Sequence, residues 1–354
     1  MKNIYILIVL AELLNVPAFS QYPQQDKNWQ IVFEDDFSTF NTTRWSKGFG
    51  LHGDYEYGNP KKQNEEPQVY LQDNVFIQNG KLVLQAQKQT YPCPKGMGYE
   101  NCMYGGIHSY TSGKIVSNSK YKYGYFEIYA KLPTGTAFFP AFWLWQQGPD
   151  KYWYNEIDIM EANGCDPTWT SNNYKAKIGN DSVCFPHAIH HSCNYANGSY
   201  HWFGVEWDSK KIIWYIDRKI VREISNDTNG IGAYNPLQII INLALFPPTW
   251  DSCYPINNAL FPATMNVEQC NHYQLKYDCN TVVNEISNYN TFNYAVKKSI
   301  ALSGISSLSL GQNVFLRATD FIELKEGFTV PNGAELYLDN NPCEIKTNIR
   351  GNEF

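Results

Sequence analysis

Three carboxylates, Glu156, Asp158 and Glu161, fall within the stretch Asn155-Glu-Ile-Asp-Ile-Met-Glu-Ala162. Side chains on a regular strand alternate between faces, so Glu156, Asp158 and Met160 would share one face while Ile157 and Ile159 turn to the core. Glu161 then falls on the wrong side. One extra residue, inserted as a β-bulge before it, returns all three acids to the same face. The plainer alternative is a strand whose solvent face is acidic by chance. Like charges side by side cost stability, which favours a chemical purpose. Glycoside hydrolysis fits, because it needs one carboxylic acid held protonated and one carboxylate held ionised. Crowding separates the two states, since ionising one acid raises the pKa of its neighbour. Asp158, between the glutamates, would share a proton with one of them. Spacing alone leaves the stereochemistry open. Four effective strand steps put the glutamate Cα atoms about 13 Å apart, and leaning side chains could close that to the retaining or the inverting separation.

The surroundings agree with a sugar ligand. Eight of the ten Trp lie between Trp143 and Trp250, on either side of the acids. Phe139, Ala141, Trp143 and Trp145 share one face of the preceding strand, and aromatic faces pack on the C–H face of a pyranose. A core of stacked aromatics would read the same way for any single Trp. The elements that must hold these residues are short strands separated by Gly, Asn and Pro, from Trp29 to about Tyr277. In Gly124-Tyr-Phe-Glu-Ile-Tyr-Ala-Lys-Leu132, the residues Phe126, Ile128, Ala130 and Leu132 face one way and Tyr125, Glu127, Tyr129 and Lys131 the other. Leu237 to Leu245 reads as a buried strand. No long stretch carries a helical period, so the expected fold is all-β, a sandwich or barrel.

Composition narrows the class. The chain has 354 residues, 43% hydrophobic and 16% aromatic, with a net charge of −6. That supports a large core and excludes global disorder. No basic run offers a nucleic-acid surface. Residues 1–20 read as a secretory signal, with Lys2, an apolar Ile4–Ala11 stretch and Ala18-Phe19-Ser20 before the cut. No segment is long and apolar enough to span a membrane. The expected product is a secreted monomer, extracellular or at the cell surface. Nine cysteines in an exported chain favour disulfides. Order along the chain suggests Cys93–Cys102, Cys184–Cys193, Cys253–Cys270 and Cys279–Cys343, with Cys165 left over. Cys184-x-x-His187-x-x-His190-His191-x-Cys193 has spacing that could hold zinc. Export favours a disulfide-closed loop instead.

The domain expected over residues 21–279 is followed by a polar, Asn-rich linker at 280–299. A small β module at 300–343, punctuated by Gly304, Gly311, Gly327 and Gly333, precedes a tail at 344–354.

These residues resemble glycoside hydrolase family 16, the laminarinase-like enzymes with a β-jelly-roll fold. Glu156-Ile-Asp-Ile-Met-Glu161 matches the family's bulged E-x-D-x-x-E motif. The resemblance extends through Tyr110-Thr-Ser-Gly-Lys-Ile115, Pro140-Ala-Phe-Trp143, His201-Trp-Phe-Gly-Val-Glu-Trp207 and Ile241-Asn-Leu-Ala244, covering roughly residues 29 to 277. It implies a retaining mechanism, with Glu156 as nucleophile, Glu161 as general acid/base and Asp158 as their hydrogen-bonded assistant. It also implies cleft contacts from Asn64, Trp143, Trp153, His201 and Trp250. The chemistry itself needs no cofactor or metal. A structural calcium is common in the family, and Glu34 and Glu268 sit in stretches suited to one. Tyr125 and Tyr129 replace common arginines, and Phe246-Pro247-Pro248 replaces a Gly-Gly, changes expected to reshape the cleft walls. Residues 300 to 343, with Ile322-Glu-Leu-Lys-Glu-Gly-Phe328, resemble a C-terminal module of secreted Bacteroidetes proteins.

The reading is therefore a secreted, endo-acting, retaining glycosidase that cleaves internal β-linkages of a polysaccharide, β-1,3-glucan first. The rivals are a red-algal galactan hydrolase of agarase or porphyranase type, and a non-catalytic glucan-binding protein on the same fold.

Overall fold

The computed structural model describes residues 29–48, 66–93, 106–147, 153–178, 181–184, 188–208, 211–225, 236–246, 253, 255–289 and 296–340. The signal segment, Asn64, Cys102, His187, Trp250 and Cys343 therefore lie outside the described residues. The chain divides into two compact units, Trp29–Lys276 and a second covering residues 277–340 of those described.

In chain order the first strands are β1 (Trp29–Asp35), β2 (Trp45–Lys47), β3 (Gln68–Tyr70), β4 (Val75–Gln78), β5 (Lys81–Cys93), β6 (Gly106–Ser112) and β7 (Lys114–Ser117). There follow β8 (Gly124–Lys131), β9 (Phe138–Gln147), β10 (Trp153–Ala162), β11 (Trp169–Ile178), β12 (Asp181–Cys184) and β13 (Ile189–Ser192). Then come β14 (Tyr200–Trp207), β15 (Lys211–Ile216), β16 (Lys219–Ser225), β17 (Gln238–Leu245) and β18 (Ala263–Leu275). The second unit holds β19 (Val282–Asn284), β20 (Val296–Leu302), β21 (Asn313–Leu324) and β22 (Glu335–Asn340).

In the first unit a ten-stranded sheet runs β16-β15-β14-β8-β18-β5-β6-β3, with β1 on β18 and β4 on β5. An eight-stranded sheet runs β12-β11-β10-β9-β17-β7-β2, with β13 on β11. Their inner faces enclose one core. Phe126, Ile128 and Ala130 of β8 and Phe203, Val205 and Trp207 of β14 meet Phe142 and Leu144 of β9 and Ile239, Ile241 and Leu243 of β17 there. The alternation expected of Gly124–Leu132 is the observed one. Strand β17 is buried on both faces because its outer face is also covered, by Trp143 and Ala141 packed on Ile240. The all-β sandwich expected from the short strands is what the chain forms.

Two hairpin turns illustrate the local logic. Asn79-Gly80 joins β4 to β5 with φ of 53° and 68°, the left-handed pair that a two-residue hairpin demands. Asp217-Arg218 joins β15 to β16 with φ of 49° and 61°, although neither residue is glycine. Side chains hold this turn. Arg218 donates to both oxygens of Glu127 at 3.1 and 3.0 Å, and its guanidinium covers the Trp202 ring at 3.6 Å. Asp217 accepts from the Trp202 amide at 3.1 Å and engages His201 Nδ1 at 2.9 Å.

The cysteines depart from the expected order. Cys165 is not left over: it is joined to Cys253, 88 residues away. Cys270 is a buried free thiol on the core face of β18, opposite Ile128, and Cys193 is a second buried free thiol. The pairs Cys253–Cys270 and Cys184–Cys193 are thus corrected, along with the disulfide-closed loop at 184–193. Proximity in sequence misleads here because the sandwich brings the turn after β10 beside the segment after β17. Cys279 is disulfide-bonded. Closing an 88-residue loop stabilises by about 4–5 kcal/mol in the chain-entropy treatment. A Cys165→Ala, Cys253→Ala double variant is expected to melt roughly 5–15 °C below the wild type in a thermal scan.

The second unit has a parallel sheet, β19-β20-β21-β22. Its core takes Val283, Ile286, Ile300, Leu302, Val314 and Leu316. The stretch read as a linker, residues 280 to 299, supplies β19 and the start of β20 to this unit.

Candidate active site

Strand β10 carries the acids, and its ladders locate the bulge. Against β9, Asp158 pairs with Trp143 and Met160 with Phe142, so Ile159 has no counterpart. Against β11, Asp158 pairs with Asn173 and Glu161 with Ser171, again one residue too many on β10. Ile157, Ile159, Met160 and Ala162 all pack in the core. Glu156, Asp158 and Glu161 are accordingly on the outer face of the eight-stranded sheet. A core residue pins the kink: Trp214 of β15 donates its indole N–H to the Asp158 carbonyl at 3.0 Å.

A lysine sits among the acids. Lys175 of β11 lies opposite Glu156. Its Nζ is 2.8 Å from Glu156 Oε1 and 3.5 Å from Asp158 Oδ2. Burial pushes the Asp158 carboxyl up to about 7, with the Glu161 charge adding to the shift and Lys175 and a Glu156 hydrogen bond opposing it. The carboxylates, Asp158 foremost, hold Lys175 well above the ordinary lysine range. One carboxyl able to keep its proton near neutrality thus sits beside a lysine-paired carboxylate.

Trp143, paired with Asp158, donates its indole N–H to Asn242 Oδ1 at 2.8 Å, and Asn242 donates to the Tyr70 hydroxyl at 3.0 Å. Lys114 covers the Tyr70 ring at 4.8 Å. Trp145 stands beside Trp143 with ring centroids 6.5 Å apart. Phe246 stacks on Phe139 at 4.3 Å. At the Glu161 end, Trp169 of β11 stacks on His190 of β13 at 3.8 Å, nearly parallel.

Of the expected contacts, Trp143 is brought to the acids. Trp153 begins β10, and its side chain is outside the described residues, as are Asn64 and Trp250 entirely. His201 is not brought to the acids: it belongs to β14 of the ten-stranded sheet, where it bridges Ser199 at 2.8 Å and Asp217 at 2.9 Å. Asp217 foremost, and then Cys193, raise it to about 10 against the opposing effect of burial. Tyr125 and Tyr129 also lie on the ten-stranded sheet, on the face away from the core, so they do not wall the cleft. Tyr125 donates to Glu127 at 3.2 Å and Tyr129 stacks on Trp202 at 4.7 Å. Glu34 accepts from the Tyr273 hydroxyl at 2.8 Å, and Glu268 is ion-paired with Lys81. His190 is engaged by Trp169, and no group of three metal-ligating side chains occurs among the described residues. Lys175, Tyr70, Trp169 and Trp214 were not singled out in the sequence as site residues. Strand register places Lys175 and Trp169 on the strand beside the acids, whereas Trp214 reaches the Asp158 carbonyl from the opposite sheet and Tyr70 joins through Asn242.

A two-sheet sandwich with three carboxylates aimed outward from one strand, one of them poised to hold a proton, is the equipment of a glycoside hydrolase. The chain belongs to glycosyl hydrolases family 16, whose signature its residues 62–253 match. It is 29% identical over 272 residues to glucan endo-1,3-beta-glucosidase A1 of Niallia circulans, a match covering 69% of this chain and 38% of that protein. With the beta-glucanase of Rhodothermus marinus it shares 26% identity over 271 residues, 70% of this chain and 86% of the other. Among solved structures, the laminarinase catalytic domain from Thermotoga maritima MSB8 superposes with a TM-score of 0.56 at 25% identity, covering 70% of this chain and 99% of that one. The chain thus spans little more than a third of the N. circulans protein.

Proposed function

We propose that the protein is an exported, endo-acting, retaining hydrolase of β-glucan, with internal β-1,3 linkages as its first target. The observation that carries this is the bulge at Ile159, which turns Glu161 to the face of Glu156 and Asp158. In this reading Glu156 attacks the anomeric carbon. Glu161 protonates the departing glycosidic oxygen and then activates the water that releases the glycosyl-enzyme. Asp158 keeps the two roles apart by holding a proton against Glu156. Trp143 and Trp145 offer the aromatic surface on which a pyranose packs. The names of the N. circulans and T. maritima relatives support a β-1,3-glucan. The disulfide between Cys165 and Cys253 supports export to an oxidising compartment.

A pH dependence follows. Asp158 keeps its proton up to about 7 and loses it above, which adds a negative charge beside Glu156. Activity is expected to hold on the acid side of that value and to decline above it, as read from kcat/KM between pH 5 and 9.

The test is reducing-end release from laminarin, mixed-linkage β-glucan, agarose, porphyran and carrageenan, with Glu156→Gln as control. Hydrolysis of laminarin by the wild type alone is the expected result. Hydrolysis of a galactan alone would overturn the substrate, and silence across the panel would overturn the enzymatic reading in favour of a binding protein.

A further inference from the structure

We propose that Lys175 is a positioning residue of the active site, whose ammonium group, lodged between Glu156 and Asp158, keeps the nucleophile ionised and fixes which acid carries the proton. The inference rests on Glu156 being the nucleophile.

The geometry carries it. The register of β10 and β11 puts Lys175 directly across from Glu156, so the side chain reaches the acids without leaving the sheet. It contacts one oxygen of Glu156 at 2.8 Å and, more loosely, one of Asp158 at 3.5 Å. The unequal distances bias the two acids in opposite senses. The closer carboxylate is favoured as an anion, and the farther and more buried one is left as the place where the proton rests. The lysine side chain is 32% exposed, partly withdrawn from water. A flexible, strongly hydrated cation is an expensive choice there unless its charge is needed. The charged groups facing it among the described residues are Glu156, Asp158 and Glu161 of β10, and on the other side of β11 the register sets Cys184 of β12 opposite Lys175 and His190 of β13 opposite Ser171. Its neighbours on the same face of β11, Asn173 and Ser171, are neutral, as are Trp143 and Trp145 on β9. Without the ammonium, three carboxylates would compete for protons, and a larger share of Glu156 would be neutral and unable to attack.

The test compares wild type, Lys175→Met, which keeps the length and loses the charge, and Lys175→Arg, which keeps the charge. Two readouts are used, the titration of carboxyl carbons in 13C-Asp/Glu-labelled protein without substrate, and the pH profile of kcat/KM on laminarin. Glu156→Gln and Asp158→Asn assign the signals. In Lys175→Met the Glu156 titration and the acid limb of the profile are expected to move up together by about 1–3 pH units. The activity loss is then greatest at low pH, and Lys175→Arg restores the limb. Unmoved titrations with activity lowered equally at every pH would overturn the proposal, leaving Lys175 a packing residue. Should the wild type hydrolyse nothing in the panel, the proposed function falls, while the titrations still decide on Lys175. If Lys175→Met fails to fold by circular dichroism, Lys175→Gln takes its place under the same criteria.

Discussion

Glu156→Gln is expected to lower polysaccharide hydrolysis by about 10⁴-fold or more, because an amide cannot form the glycosyl-enzyme bond. The substitution keeps the shape of the side chain and an oxygen able to accept from Lys175, whose Nζ lies 2.8 Å from Oε1 in the wild type. The fold and the affinity for glucan oligosaccharides should therefore survive. Initial rates of reducing-end release, set beside calorimetric binding of a laminari-oligosaccharide, separate the two effects. A folded variant that hydrolyses at the wild-type rate would remove Glu156 from the role of nucleophile.

Glu161→Gln is expected to behave differently. Losing the general acid costs about 10²–10⁴-fold on a natural glycan, whose leaving alkoxide needs a proton. An aryl glycoside with an acidic phenol leaves without that help, so formation of the glycosyl-enzyme from it should be nearly unimpaired. The comparison is a ratio of rates on the two substrates for wild type and variant, measured in the pre-steady state so that slow deglycosylation does not mask it. Equal losses on both would show that Glu161 supports the site in some other way.

The sequence was most legible where alternation and chemistry spoke together. In Glu156-Ile-Asp-Ile-Met-Glu161 the apolar residues mark the core face, so the misfit of Glu161 announces the bulge before any ladder is seen. The same alternation predicts the two faces of β8. Legibility failed where the answer depends on which distant segments meet. Lys175 sits among Ser, Asn and Tyr in a stretch with no pattern of its own, and only the β10–β11 register sets it opposite Glu156. Cys165 and Cys253 are joined by topology and not by order. His201 lies in a stretch matching the family, yet its β14 neighbours Phe203, Val205 and Trp207 fill the core, and its ring serves the β15–β16 turn. Asn-rich composition made residues 280 to 299 look like a linker, although Val283 and Ile286 enter the core of the second unit.

The ladder around Ile159 bears on how this catalytic strand tolerates insertion and deletion. On β9 the residues Trp143, Phe142 and Ala141 face Asp158, Met160 and Glu161 in unbroken order, and Ile159 stands outside the count. A chain lacking that one position would thread the same three partners and aim the same three acids. An E-x-D-x-E string and an E-x-D-x-x-E string would then be two spellings of one catalytic face, separated by a single codon. A pattern search that insists on fixed spacing would file such proteins apart, whereas one that counts strand partners would keep them together.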